Sequence, residues 1–160
     1  MTSLRILNIA IILISFMACG RSGSDRVDWI SYANDSSASD FAEAVTNQTS
    51  PNNVAAIYVE YLTAVTSSEQ GEKAKEILSE IQLQYDESDK NLFISEVDRL
   101  ASSLPVDTLA HIVTLTSSPA SLGRWLRHEK SSYQPLIQAI ANSYSSDSVA
   151  IFNRSLSSGE

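Results

Sequence analysis

The apolar residues of this chain recur at intervals of three and four over most of its length. That spacing places one apolar face of a helix toward a core. The stripes lie at residues 54–65, 74–85, 93–104, 109–113, 122–126 and 136–144. The pattern predicts an all-α domain, a compact bundle or small array of seven to nine short antiparallel helices, with no strands.

Polar residues and prolines mark the predicted helix ends. Ser50-Pro51 and Ser118-Pro119 each place a capping hydroxyl before a first-turn proline, whose missing N–H costs nothing there. Capping-box spacing occurs twice, at Asp40 with Glu43 and at Ser67 with Gln70. The chain between Ser24 and Ser158 contains only two glycines, Gly71 and Gly123, and it has no Asn-Gly or Asp-Gly hairpin signal.

The first eighteen residues have the pattern of an export signal. Arg5 precedes an apolar run over residues 6–18, which ends in small residues. A helix that spans a bilayer needs about twenty apolar residues, so this run of about thirteen is too short. A polar segment with glycine and serine follows at residues 20–24. The sequence therefore predicts a cleaved leader over residues 1–18.

The only cysteine lies directly after this run, so it has no internal partner for a disulfide. The segment Ser15-Phe16-Met17-Ala18-Cys19-Gly20 resembles the lipobox of bacterial lipoproteins, with Phe16 and Met17 in place of the usual Leu and Ala or Ser. The resemblance implies cleavage before Cys19, a diacylglycerol on its sulfur and usually an acyl chain on the new amine. Gly20, rather than Asp, implies the outer membrane by similarity to proteobacterial lipoproteins, with the domain facing the periplasm or the cell surface.

These features give an expected organisation. Residues 1–18 are the leader, residues 19–26 are the lipidated cysteine with a flexible tether, and residues 27–160 are a single helical domain. A second interpretation remains open, because Ala18-Cys19-Gly20 also fits an ordinary signal-peptidase site. Cleavage after Gly20 would release a soluble secreted protein without a lipid.

The formal net charge of −8 limits the kinds of partner that the protein can bind. It argues against nucleic acid and against electrostatic attachment to anionic lipid, since both need a basic surface. Residues 27–107 hold fifteen acids and four bases. This stretch is either a solvated surface or a docking face for a basic protein. The candidate partner-binding acids are Asp86, Glu87, Asp89, Glu96 and Asp98.

One basic cluster interrupts this acidic chain. Arg124, Trp125 and Arg127, followed by His128 and Lys130, combine the residue types that dominate interface hot spots. The alternative is that Trp125 belongs to the core and the arginines flank it in solvent. We include Arg124, Trp125 and Arg127 among the candidate partner-binding residues.

Catalytic and metal-binding motifs are absent from the sequence. Asp107 and His111 share a helix face, which is more typical of a hydrogen-bonded pair than of a general base. No Gly-x-Ser-x-Gly, His-Glu-x-x-His or paired Cys-x-x-Cys occurs. We therefore expect no enzyme activity, no metal, no small-molecule substrate and no cofactor apart from the lipid on Cys19.

Together these observations suggest a protein-binding module displayed on a membrane. Small, exported, helical and lipid-anchored proteins include immunity proteins, which neutralise a periplasm-acting effector. They also include pilotin-like accessory lipoproteins of secretion or envelope assemblies. The acidic stretch favours the immunity or inhibitor hypothesis, because it would steer the protein to a basic effector.

Overall fold

The computed structural model describes residues 27–127 and 133–157. The predicted leader, Cys19 and its tether lie outside the described residues. The described residues form nine helices and no strand, which confirms the predicted all-α array. None of the nine is long and apolar enough to cross a bilayer. The helices are α1 (Trp29–Asp35), α2 (Ala38–Gln48), α3 (Pro51–Ala64), α4 (Ser68–Gln84), α5 (Glu87–Ala101), α6 (Val106–Thr116), α7 (Pro119–Leu126), α8 (Gln134–Ser143) and α9 (Ser146–Ser157).

Two helices begin at the predicted serine–proline pairs. Ser50 and Pro51 start α3, and Ser118 and Pro119 start α7, so both predicted helix starts are confirmed. The predicted hydroxyl cap forms only at Ser118, because the Ser50 side chain makes no capping hydrogen bond. The Ser118 hydroxyl accepts the backbone N–H of Ser121 at 3.2 Å. That bond satisfies one of the N–H groups that the first turn leaves without a partner inside the helix.

Of the two predicted capping boxes, the one at Ser67 and Gln70 forms in part, because its second bond goes to the residue before the cap. The Ser67 hydroxyl accepts the N–H of Gln70, and the Gln70 side chain accepts the N–H of Thr66 at 2.9 Å. The box predicted to start at Asp40 is wrong, because Ser37 caps α2 three residues earlier. Asp40 instead occupies the third helical position, where its N–H and carboxylate both bond to the Ser37 hydroxyl.

Helices pack mainly on their second neighbours along the chain. The extensive contacts join α1 to α3, α2 to α4, α3 to α5, α4 to α6, α6 to α8 and α7 to α9. Consecutive helices touch much less. The chain therefore builds an interleaved array, in which two alternating rows of helices share their apolar faces.

Two hydrophobic clusters form the interior. The first cluster comes from α1–α5 and contains the buried residues Ala33, Phe41, Ala42, Val45, Val54, Ala55, Tyr58, Tyr61, Val65, Ala74, Ile77, Ile81 and Phe93. The second cluster comes from α6–α9 and contains Ala110, Leu122, Leu126, Leu136, Ile140, Phe152 and Leu156. Helix α6 serves both, because its Leu115 packs on the first cluster and its Ala110 lies in the second.

The junction of the two clusters depends on Gly71. It lies where α4 crosses α6, and a Cβ atom there would overlap the carbonyl oxygen of Leu115. His111 of α6 adds a polar link, since its Nε2 lies 3.1 Å from the Val65 carbonyl oxygen at the end of α3. A carbonyl oxygen only accepts, so Nε2 carries the proton and donates it. Close backbone approach and one hydrogen bond thus join α6 to the first cluster.

Gly123 plays the same role inside the second cluster. It lies on α7 against α9, where an added Cβ would come within 2.6 Å of the Phe152 carbonyl oxygen and 2.7 Å of the Ser155 Cβ. Only a residue without a Cβ allows the two helices to come this close. Both glycines of the helical region therefore mark helix crossings.

Candidate functional surfaces

Charge is divided unequally between the two parts of the molecule. Residues 27–101, which include α1–α5, hold fourteen acids and four bases. The second part comprises the described residues of α6–α9, which hold three arginines and two aspartates. We call residues 27–101 the acidic part. A charged ligand would therefore meet a different electrostatic potential at each of the two parts.

Three of the four bases of the acidic part are already engaged. Lys73 donates to the Asn34 carbonyl oxygen at 2.9 Å, at the end of α1. Lys75 pairs with Glu72 at 2.6 Å. Such exposed contacts contribute little to stability, but they hold these lysine side chains beside their own partners. Most carboxylates of the acidic part therefore face solvent without a neutralising partner among the described residues.

The Arg99 side chain is engaged in the same way. Its Nε and Nη2 donate to both carboxylate oxygens of Glu96, at 2.7 and 2.6 Å. These hydrogen bonds lower the pKa of Glu96 below its ordinary value. Glu96 was a candidate partner-binding residue, and the structure places it in a bidentate pair within α5.

The other predicted acids on α5 divide into capping and free residues. The Asp86 carboxylate caps the helix by accepting the Asp89 N–H at 2.9 Å. Glu87 and Asp89 lie in the first turn, where negative charge is favourable next to the helix dipole. Asp98 is exposed near the far end of α5. Reversing the charge of Asp86 would therefore disturb the helix itself.

The outer face of α4 presents a feature that the apolar stripes did not reveal. Glu72, Glu76 and Leu83 fall on one side of this helix, opposite its buried residues, and Glu80 lies half-buried beside them. Leu83 is 75% exposed, the largest exposure among the exposed large apolar residues. An isolated leucine beside carboxylates gives this face both charge and an apolar contact point. We call these four residues the α4 face.

The aromatic residue of the basic cluster is exposed. Trp125 is 56% exposed, so the alternative that placed it in the core is wrong. Its ring packs against Tyr133, with ring centroids 5.7 Å apart. The periodicity had grouped it with Leu122 and Leu126, which are buried, but Trp125 lies on the side of the helix away from the α9 crossing. We call Trp125, Tyr133 and the neighbouring Arg124 the aromatic patch.

Arg127 is half-buried and contacts α9 rather than joining this patch. Its Nε and Nη2 donate to the Ser155 carbonyl oxygen at 3.2 and 2.9 Å. Ser155 lies in the last turn of α9, where carbonyl oxygens lack partners within the helix. Arg127 is thus a side-chain cap of the last helix. Its guanidinium also brings positive charge to the negative end of the dipole.

The predicted pairing of His111 with Asp107 is not formed, because His111 donates to Val65 instead. His128 lies outside the described residues. Within residues 27–127 and 133–157, no three His, Cys, Asp or Glu side chains come together to hold a metal ion. The described histidine therefore links two helices.

An open groove of about 670 Å³ separates α4 from the ends of α6, α7, α8 and α9. Hydroxyl groups dominate its lining, which includes Ser68, Thr114, Ser117, Ser121, Ser143 and Ser148. The Lys75–Glu72 pair lies at its edge, and the Tyr144 hydroxyl donates to the Ser117 carbonyl oxygen at 3.5 Å. Apart from the Lys75–Glu72 ion pair, the lining offers hydroxyl and backbone donors and acceptors.

Comparison with known proteins finds no match for this chain among protein-family models, curated proteins or solved structures.

Proposed function

We propose that this chain is a bacterial lipoprotein, lipid-anchored through Cys19 in the outer membrane and facing the periplasm. Its helical domain acts as a non-enzymatic binding module for a basic protein, and we favour an immunity or inhibitor role against a periplasm-acting effector. The observation that supports a binding role is the excess of uncompensated carboxylates on α1–α5. The anchor rests on the lipobox resemblance of residues 15–20.

Electrostatic steering explains why such a surface suits an inhibitor. A concentrated negative field attracts a basic protein over distances of about a Debye length, roughly 10 Å at moderate salt. Steering of this kind raises association rates by about 10- to 1,000-fold. An inhibitor must capture its target before the target acts, so a fast association rate matters as much as affinity.

The α4 face is the best placed contact surface within the acidic part. Asp86 and Glu96 are used within α5, by a cap and by a bidentate ion pair. On α4, Glu76 and the exposed Leu83 have no such internal role. An apolar contact inside a polar rim is the usual arrangement of a protein interface.

The binding proposal is tested with a matched pair of charge reversals. The partner is first captured from an envelope extract on the immobilised mature protein, identified by mass, purified and used in association kinetics. Glu76→Lys lies on the α4 face, and Asp147→Lys makes the same change of charge at an exposed position of α9. At low salt, Glu76→Lys should slow association by about tenfold, whereas Asp147→Lys should change it little.

High salt should remove the difference between these variants, because exposed charges are screened. Equal effects of the two reversals would mean that net charge, rather than the α4 face, governs association. No salt dependence at all would mean that the acidic part is only a solubilising surface.

The anchor is tested by the intact mass of the mature protein from a lipoprotein-competent host. The expected mass corresponds to residues 19–160 with a diacylglycerol and a further acyl group. Cys19→Ser should leave the membrane fraction without losing helical circular dichroism. A mass that corresponds to residues 21–160 without lipid would mean that the protein is secreted and soluble rather than anchored.

A further inference from the structure

The aromatic patch lies on the outer side of α7. Helix α7 buries Leu122, Gly123 and Leu126, while Trp125 remains 56% exposed and Tyr133 38% exposed. Arg124 is exposed next to Trp125 and reaches only the Ser121 hydroxyl, at 3.3 Å. Two amphipathic rings and a cation thus project from one place. Such rings favour an environment that is apolar on one side and wet on the other.

The charge around the patch allows it to approach an anionic surface. Arg124, Arg127 and Arg154 outnumber Asp107 and Asp147 among the described residues of α6–α9. The acidic part, by contrast, would be repelled by anionic lipid headgroups. Of the two parts of the molecule, only the one that carries Trp125 is electrostatically suited to a membrane surface.

The size of the patch separates a membrane from a protein partner. A stable protein interface buries about 800 Å² on each side, more than three side chains provide. A lipid surface needs no matched contour, and Trp and Tyr are enriched at headgroup level. A weak contact of this size becomes effective when a covalent anchor already holds the domain at high local concentration.

We propose that Trp125, Tyr133 and Arg124 form a second membrane contact, in the headgroup region of the bilayer that holds the anchor. The proposal rests on the lipid anchor of the proposed function. It orients the domain, with α7 toward the lipid and the carboxylates of α1–α5 away from it. The α4 face then remains accessible to a soluble basic partner.

Two matched variants test this orientation, because the chain has only two tryptophans. Trp29→Phe leaves Trp125 as the only indole, and Trp125→Phe leaves Trp29, which packs edge-to-face on Phe41. Both are made in the full lipidated chain and placed in phosphatidylcholine–phosphatidylglycerol vesicles with brominated acyl chains. Trp125 emission should shift to the blue and lose about half its intensity, whereas Trp29 should keep most of its emission.

Several outcomes would overturn the proposal. Equal or stronger quenching of Trp29 would mean that the tether end, rather than α7, faces the lipid. An unshifted Trp125 in an anchored protein would place the patch in water. In that case, loss of partner binding in Trp125→Ala would assign the patch to a protein interface.

The intact mass separates failure of this proposal from failure of the anchor. A protein without lipid contradicts the proposed anchor, and its aromatic patch is then tested by adding the same vesicles in excess. A blue shift there supports the membrane contact without the anchor, and no shift overturns it.

Discussion

The two hydrophobic clusters differ in what they bury and in what they expose. The first cluster buries the aromatic side chains Phe41, Tyr58, Tyr61 and Phe93 beneath an acidic surface. The second is smaller, is mainly aliphatic around Phe152, and lies beneath the exposed aromatic patch. Burial of aromatic area favours stability, whereas exposed aromatic rings favour binding. The comparison teaches that two halves of one array, built by the same packing of second neighbours, differ in how much of their aromatic area they bury.

The largest effects should come from deleting one buried ring in each cluster. Phe93 packs between Tyr58 and Tyr85, and Phe152 packs on Tyr144. Phe93→Ala and Phe152→Ala should each lower the free energy of unfolding by about 3–5 kcal/mol. Urea unfolding followed by fluorescence measures both changes.

The same experiment shows whether the clusters unfold together. Trp29 reports on the first cluster and Trp125 on the second, so the single-tryptophan variants separate the signals. Because α6 contributes to both clusters, we expect one transition with the same midpoint for both probes. Two separated midpoints would show that the halves are independent.

Smaller effects are expected at the two helix crossings. An added methyl group would meet backbone atoms, Leu115 at Gly71 and Phe152 at Gly123, which do not rotate away. Overpacking costs about 1–3 kcal/mol. The change from glycine to alanine gains only roughly 1 kcal/mol in helix propensity, so the overpacking cost should dominate. Gly71→Ala and Gly123→Ala should both lower the midpoint of urea unfolding. Ser79→Ala, on the exposed side of α4, is the control and should leave the midpoint unchanged. If Gly71→Ala and Gly123→Ala are as stable as the parent protein, the helix crossings open freely.

A third prediction distinguishes Arg124, in the last turn of α7, from Arg127, which directly follows this helix. Arg127→Ala removes the bonds to the Ser155 carbonyl oxygen and should cost about 1.5 kcal/mol, the low end for hydrogen bonds from a charged donor. Arg124→Ala should leave thermal unfolding unchanged, because Arg124 bonds only to a hydroxyl within its own helix. A partner-binding defect in Arg127→Ala at full stability would contradict the capping role.

The smallest difference at neutral pH concerns the buried tyrosines and appears only in alkali. Burial, with the nearby Asp89 charge, raises the pKa of Tyr85 to about 12, and burial raises the pKa of Tyr58 as well. Between pH 10 and 12 the unfolded chain loses protons that the folded chain keeps, so stability falls as the pH rises. Urea midpoints over this range should therefore decline.

Tyr85→Phe isolates this effect. The Tyr85 hydroxyl is buried without a hydrogen-bond partner among the described residues, so its removal breaks no bond seen there. The variant should be as stable as the parent at pH 7 and should lose less stability toward pH 12. An identical pH profile in the two proteins would show that Tyr85 ionises freely in the folded state.

Much of the secondary structure follows from local pattern. The stripes at residues 54–65 and 74–85 correspond to α3 and α4, because helical periodicity is a property of neighbouring residues. Helix starts at Ser50 and Ser118 followed from their prolines. The error at Asp40 arose because Ser37 offered a second capping group within three residues.

The candidate surfaces were only partly predictable. The charge excess of the acidic part is visible in the sequence, but the division of its acids among caps, pairs and free positions is not. Trp125 has the spacing of a core residue, yet it is exposed, because α7 crosses α9 at Gly123 and its buried side is centred there. Arg127 gave no local signal, since its acceptor on Ser155 lies 28 residues away.

The sequence by itself determined the all-α fold class, the helix starts at Ser50, Ser67 and Ser118, the charge and the lipobox resemblance. Only the tertiary structure decided that each helix packs on its second neighbour, and that Gly71 and Gly123 lie at crossings. The physical reason is that periodicity specifies which side of a helix is apolar but not which other helix covers it. That choice depends on close backbone approach between residues far apart in the chain.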